Sequence, residues 1–432
     1  MSDHSPSCVR ARRSKKFFAG TLLVGVLCAP SILRAQDAVR PSLAGEAAAE
    51  ARRQDVDRIP YNLMMGPVRF RLSATVGVEY NDNINFAEKD TEDDVIVRPN
   101  IDIDAIWPLT QLNTLRLDLG LGYAFYLDHS ENDTNGILIA PKSQIALDIF
   151  VGDFRINVHD RMQLQQDPIQ QPALSNVTDY GRFENTVGVG ALWDLNKALL
   201  TLGYDHYTYV STTSDFDYLN RNAEELSAAI QVLVSSTTGV GIEGNAVFTY
   251  YDQHVLNDSD TYSVGAFVES QLTNNLKVRA AGGYQRINFD RNAVDFFGVL
   301  APDQKDLDDF YANILIGHRL NVVFSHSLSA GHESQLGINS NYITLNYVRY
   351  TTTWNLIRRT LLSTEFFFED ADESGGFIDE HFQRVGGAIT LGYQLTPHVT
   401  LGLRYQGTSK DSDVALRDYT QNRVSLDGTY SF

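Results

Sequence analysis

The stretch Leu115-Arg116-Leu117-Asp118-Leu119-Gly120-Leu121-Gly122-Tyr123-Ala124-Phe125-Tyr126-Leu127-Asp128 decides the fold. Every second residue from Leu115 to Leu127 is apolar or aromatic. Arg116, Asp118, Gly120, Gly122, Ala124, Tyr126 and Asp128 fall between them. A period of two puts the two sets on opposite faces of a strand, whereas a helix would mix them on every side. The same alternation runs through Phe70, Leu72, Ala74, Val76, Val78 and Tyr80, against Arg69, Arg71, Ser73, Thr75, Gly77 and Glu79. It returns in Val399, Leu401, Leu403 and Tyr405, against Thr400, Gly402, Arg404 and Gln406.

Working outward, residues 68–432 divide into about 18 such segments, the first at 68–80 and the last at 419–432. Short connections (Pro108–Asn113, Val151–Asp153, Asp194–Lys197, Leu272–Asn275, Thr396–Pro397) alternate with long polar ones (81–92, 129–137, 166–178, 212–221, 253–258, 291–308, 371–378, 411–418). The turn near Leu320–Asn321 rests on spacing alone, so 16 is the alternative count. An even number of segments, short turns at one end and long loops at the other predict an all-β fold, a transmembrane antiparallel up-and-down β-barrel. In hydrocarbon no water satisfies an open sheet edge, so a spanning sheet must close on itself. A soluble sandwich would use strands of about 5–6 residues, and a propeller would repeat a motif every ~40–50 residues. Neither fits these segments.

Composition agrees. The 432 residues include 21 Tyr and 22 Phe, yet the mean hydropathy is −0.22 and the net charge −19. The hydropathy excludes a polytopic helical membrane protein, and the acidity excludes a nucleic-acid partner. Arg10, Arg12, Arg13, Lys15 and Lys16 followed by the apolar run Phe17 to Cys28 read as a signal peptide over 1–35, cut near Ala35. Both cysteines, Cys8 and Cys28, lie in it. It also carries six basic residues and one acidic one, so its removal takes the charge to −24. Residues 36–67 read as a periplasmic leader, with a short helix or a disordered stretch over 42–56.

Aromatic placement gives a second line. Trp107, Trp193 and Trp354 each adjoin a short turn, where amphipathic rings should line one interface; Tyr430 belongs to the same girdle. Tyr80, Phe125, Tyr204, Tyr250, Phe289, Phe366 and Phe368 are expected at the other interface. The last segment alternates Val424, Leu426, Gly428, Tyr430 and terminal Phe432. Tyr430 and Phe432 are the expected C-terminal signal for the β-barrel assembly machinery.

Glu79-Tyr80-Asn81-Asp82-Asn83, then Ile96-Val97-Arg98-Pro99, then Leu119, Gly120, Tyr123 and Tyr126 resemble the type 2 outer-membrane β-barrel porin family of bacteria. The resemblance implies an outer-membrane location, in contact with membrane lipid and lipopolysaccharide, and some members lie near exopolysaccharide genes.

If the apolar face meets lipid, the other face lines the lumen. That set contains Arg98, Arg116, Asp118, Arg155, His159, Arg161, Arg182, Glu184, Glu243, Glu269, Arg279 and Arg404. Such residues either form a transverse field across a pore or pair with one another and keep the wall wet. Tyr126, Tyr207 and Tyr251 add rings that could stack on a saccharide. Loop 166–178 (Gln166, Pro168, Gln170, Gln171, Pro172) is long and weakly charged. It lacks the acidic cluster of an inward-folded porin loop, so inward folding is a hypothesis that a structure can dispose of. Acidic loops such as Glu88, Asp90, Glu92, Asp93 and Asp94, or Asp303, Asp306, Asp308 and Asp309, have no calcium-loop spacing. No metal or cofactor is expected. Candidate nucleophile and base pairs such as His254 near Ser259, or His326 near Ser325, are ordinary by chance among 10 His, and no enzyme is expected. The expected function is passive passage or export of hydrophilic solutes, saccharides among them. The alternative is a non-conducting structural or adhesion barrel presenting acidic loops to a partner. Nothing in the sequence sets the oligomeric state.

Overall fold

The computed structural model describes residues 60–294, 298, 305–374 and 379–432. The signal-peptide and helix readings of 1–35 and 42–56, and Asp303, lie outside them. Eighteen strands form one antiparallel wall. The first nine are β1 (Val68–Asn81), β2 (Asp94–Pro108), β3 (Thr114–Gly122, continued by Phe125–Tyr126), β4 (Leu138–Ile139 and Gln144–Val151), β5 (Phe154–Gln165), β6 (Arg182–Asp194), β7 (Ala198–Ser211), β8 (Arg221–Leu233) and β9 (Thr238–Tyr251). The rest are β10 (Ser259–Thr273), β11 (Leu276–Phe289), β12 (Leu307–Arg319), β13 (Phe324–Leu336), β14 (Tyr342–Ile357), β15 (Thr360–Glu373), β16 (Glu380–Gln394), β17 (Val399–Ser412) and β18 (Tyr419–Ser431). Each pairs with its sequence neighbour, and β18 pairs back onto β1 from Ser73↔Ser431 to Asn81↔Arg423. The sheet is closed and has 18 strands, not 16. The turn at issue is built by Asn321, whose Oδ1 accepts the backbone N–H groups of Val323 (2.9 Å) and Phe324 (2.8 Å). Ahead of the barrel, Leu63–Met65 forms a short strand against the start of β1.

The alternation sorts as its period dictates. Val76, Val78, Ile101, Leu202, Leu226, Ile242 and Leu426 are exposed on the outer face. Large apolar residues in these positions would be unstable in water and are at ease against lipid tails. The opposite parity points inward and carries ion pairs such as Glu243 with Arg279 and Asp148 with Arg155. Glycines on the inner face let rings lie flat across neighbouring strands: a Cβ at Gly265 or Gly283 would strike the Tyr311 ring. That ring reaches over both to donate its hydroxyl to Glu243 (3.1 Å).

Candidate functional site

The chain between β5 and β6 does not extend into solvent. It crosses the interior and docks on the opposite wall. Asp167 opens it, its Oδ1 capping a 3-10 turn through the Ile169 N–H (3.0 Å). Its Oδ2 meets Arg423 Nη2 of β18 at 2.8 Å, and the same guanidinium holds Glu79 of β1 at 2.8 Å. Arg98 of β2 stands 3.4 Å from Glu79 and 3.9 Å from Asp167. Two residues on, the Ile169 carbonyl accepts from Arg384 Nη1 of β16 (2.9 Å), while Arg384 Nε is paired with Glu369 (2.7 Å). Loop 166–178 thus folds inward, held by backbone carbonyls and Asp167 rather than by an acidic cluster. That is why its composition was a poor guide.

The tightest part of the dock is at Ala173. Its carbonyl accepts from Arg417 (2.5 Å), Asn339 (3.2 Å) and Lys410 Nζ (3.4 Å). Lys410 and Arg417 in turn hold Glu380 at 2.9 and 2.8 Å, and the Lys410 and Glu380 side chains have 0% exposure. Lys410 also lies over the Phe382 ring, 4.2 Å from its centroid. A carboxylate and an ammonium this deep are tolerable only because they satisfy one another.

Other long connections lean onto the crossing segment. Leu174 and Tyr180 pack with Tyr209, Phe216, Leu219, Tyr251, Leu256 and Ile338, drawn from three other connections and their strand ends. Ala173 packs with Ile343, Leu345, Ala371 and Phe382. At the long-loop end, therefore, the interior holds a small apolar core of its own.

Burial alone would raise the Asp167 carboxyl, but Arg423 and Arg98 outweigh it and hold it below the usual carboxylate range. A folded-state pKa that is lowered gives a contribution fully present above the ordinary value of about 3.9, and lost only as pH falls through the lower one. Unfolding followed by gel mobility should therefore show wild type losing stability below about pH 4. Asp167→Asn should lose less over the same window. Parallel acid profiles would remove Asp167 from the dock.

The lumen residues picked from sequence all lie on the inner face, mostly paired. Arg116 and Arg155 both hold Asp148, Arg155 at 2.9 Å. Asp118 accepts from Gln144 (2.9 Å). His159 meets Asp205 (2.7 Å), and Arg161 meets His159 (3.1 Å). Arg182 holds Glu184 (2.8 Å), which also takes the Tyr207 hydroxyl (2.9 Å). Glu243 pairs with Arg279 (2.7 Å), and Glu269 faces Arg279 across the ladder. Arg404 donates to Gln406 (3.0 Å). Asp148, Asp167, Glu369, Glu380, Arg384, Lys410, Arg417 and Arg423 are not among the residues singled out from sequence, and Glu79 is singled out there only for its strand face and its motif. Those on strands share the inward parity, so alternation places them, but only closure of the barrel shows what they grip.

Two placements need correction. Phe289 is not in the outer girdle: it is 5% exposed, points inward and stacks with Tyr342 at 6.1 Å. Tyr207 and Tyr251 are not free stacking platforms: with Tyr209 they surround the Arg221 guanidinium at 4.6–5.8 Å, and Tyr126 packs against the buried cluster of Ile84, Ile96 and Ala124. Trp107, Trp193, Trp354, Tyr430 and Phe432 are exposed on the outer face at the short-turn end. Trp193 stacks on Phe154 (5.1 Å), and Tyr430 meets Phe432 edge-on (5.2 Å). Ser325 and His326, adjacent on one strand, point to opposite sides of the wall.

The sequence that builds this closed 18-stranded wall matches a known family. The family described as "Putative beta-barrel porin 2" matches residues 64–301, more than half of the chain. The chain belongs to this porin family. It is an outer-membrane protein of porin type. No curated protein matches the porin's sequence. Among solved structures it is similar to Pseudomonas aeruginosa OccK2 (OpdF) in complex with glucuronate, at 11% identity and a TM-score of 0.49, over 86% of this chain and 100% of that one. It is also similar to Pseudomonas aeruginosa OpdK with vanillate (10%, TM-score 0.46, 84% and 99%) and to Acinetobacter baumannii OccAB3 (12%, TM-score 0.45, 84% and 99%). At such identity the likeness does not extend to substrate.

Proposed function

We propose that this porin is a gated passage for hydrophilic solutes, saccharides among them, in which residues 166–181 are the gate. One observation carries the reading: the segment that crosses the interior is tied to the far wall by separate, breakable polar contacts at Asp167, Ile169 and Ala173. A sheet of 18 strands encloses enough space for an aqueous channel unless something fills it. In this reading Arg98, Arg116, Asp118, Arg155, Arg161, Arg182, Glu184, Glu243, Glu269, Arg279 and Arg404 line the path. Tyr430 and Phe432 serve the assembly machinery, and the outer wall meets lipid and lipopolysaccharide. No step asks for a nucleophile or a cofactor.

The apolar core around Leu174 and Tyr180 also suits a non-conducting barrel that presents its loops to a partner. Liposome swelling in isotonic neutral sugar, together with planar-bilayer current, separates the two. Sugar entry or current steps are expected from folded protein. If both are absent, from wild type and also from a folded variant lacking the crossing segment, the passage reading falls and the structural barrel stands.

A further inference from the structure

The outer face of the barrel is not uniform. On β2 the outward residues are Val95, Val97, Pro99, Ile101, Ile103, Ala105 and Trp107, and on β3 they run unbroken from Leu115 to Leu127. Seven apolar rows, about 6.8 Å apart along a tilted strand, comfortably cover the ~25 Å apolar belt of an outer-membrane barrel. On β13 the outward residues are Phe324, His326, Leu328, Ala330, His332 and Ser334. Opposite them on β14 stand Trp354, Thr352, Tyr350, Val348, Asn346 and Thr344. Here two apolar rows, Leu328/Tyr350 and Ala330/Val348, are all that lie between polar ones. They span about 14 Å along the strands at most, which falls well short of the belt.

The lower polar row continues across four strands in register: His318 of β12, His326, Thr352 and Thr364 of β15. His318 Nδ1 and His326 Nε2 are 3.0 Å apart, and the Thr352 and Thr364 hydroxyls 2.8 Å. The other nitrogen of each imidazole, His318 Nε2 and His326 Nδ1, has no partner among the described residues. In lipid such a group has no water to turn to. The upper row holds His332 against Asn346 (2.8 Å) and Asp309 (3.1 Å). A second irregularity falls at the same place. The β12–β13 ladder stops at Ala312↔His332, although β12 begins at Leu307 and its ladder with β11 continues to Ile287↔Leu307.

We infer that the outer wall of β12–β15 is a protein interface, and that its occupant is a second copy of this chain related by a two-fold axis near β13 and β14. The occupant follows from the chemistry of the lower row. Imidazole nitrogens and hydroxyls can each serve as donor or acceptor, so the row is complementary to itself, as a two-fold interface requires. A patch of single-signed charge would repel its own copy. Four strand spacings of ~4.8 Å by a belt of ~25 Å give roughly 500 Å² of flat wall per copy before side-chain relief, of the order of the ~800 Å² per side of a standard interface.

The test uses the full chain, whose two cysteines, Cys8 and Cys28, both lie ahead of the barrel strands. Leu328→Cys in native membranes, oxidised and run on a non-reducing gel, should give a band of twice the monomer mass. Leu117→Cys, outward-facing on the far wall, should give several-fold less. Mass measurement of wild type in mild detergent should show two copies. The double change His318→Leu with His326→Leu makes the wall more lipid-like, so it should shift the protein to monomer while its heat-modifiable gel migration stays that of a folded barrel. Four outcomes would overturn the inference: equal cross-linking at 117 and 328, a 328 adduct of another mass, a three-copy assembly, or a dimer indifferent to the double change.

Discussion

A chain in which residues 168–178 are replaced by a short Gly-Ser link is expected to conduct several-fold more than wild type in planar bilayers. The substitution removes the Ile169 and Ala173 carbonyls, and with them the hold of Arg384, Lys410, Arg417 and Asn339 on the crossing segment. It also removes Leu174 from the apolar core it shares with Tyr209, Phe216, Leu219 and Ile338. The ladder between β5 and β6, from Phe154↔Trp193 to Gln165↔Arg182, lies outside the replaced stretch, so the barrel should still close and still show heat-modifiable migration. An interior cleared of its plug is wide enough for water at this strand number. Conductance no greater than wild type, from protein verified as folded, would show that the segment does not obstruct passage.

The second large effect is on stability. Glu380→Ala should cost about 3–5 kcal/mol, because it strands Lys410 and Arg417 without their carboxylate. Lys410 has no exposure, so water cannot replace Glu380 without opening the dock. The loss should appear as a lower urea midpoint, followed by the fluorescence of Trp107, Trp193 and Trp354 or by gel mobility. Adding Lys410→Met should recover much of it, since methionine keeps an unbranched chain against the Phe382 ring and carries no charge. A change below about 1 kcal/mol for Glu380→Ala would mean that the cluster behaves as an exposed pair.

The alternation around Leu115–Leu127, repeated along the chain, was enough to read strand existence, the facing of each residue and the even count. In hydrocarbon every backbone group must be paired within the wall, so a period of two maintained over 18 segments leaves only a closed sheet. It also fixed which charges point inward, since parity within a strand is a local property. Phe289 shows the limit of that reading: proximity to a loop does not outrank parity.

The tertiary structure alone decided what those inward charges do. Asp167 meets Arg423 across 256 positions, and Arg417 meets Ala173 across 244. Both contacts exist because β18 returns to β1 and brings the end of the chain around to face the connection between β5 and β6. That connection has no periodicity, and its ties are largely backbone carbonyls, which every residue carries and no composition reveals. The polar row on the outer wall lies between these cases. His318, His326, Thr352 and Thr364 are each visible as polar residues in lipid-facing positions. That they stand side by side is a matter of register between strands, which the hydrogen-bond ladders set and the sequence of any one strand does not contain.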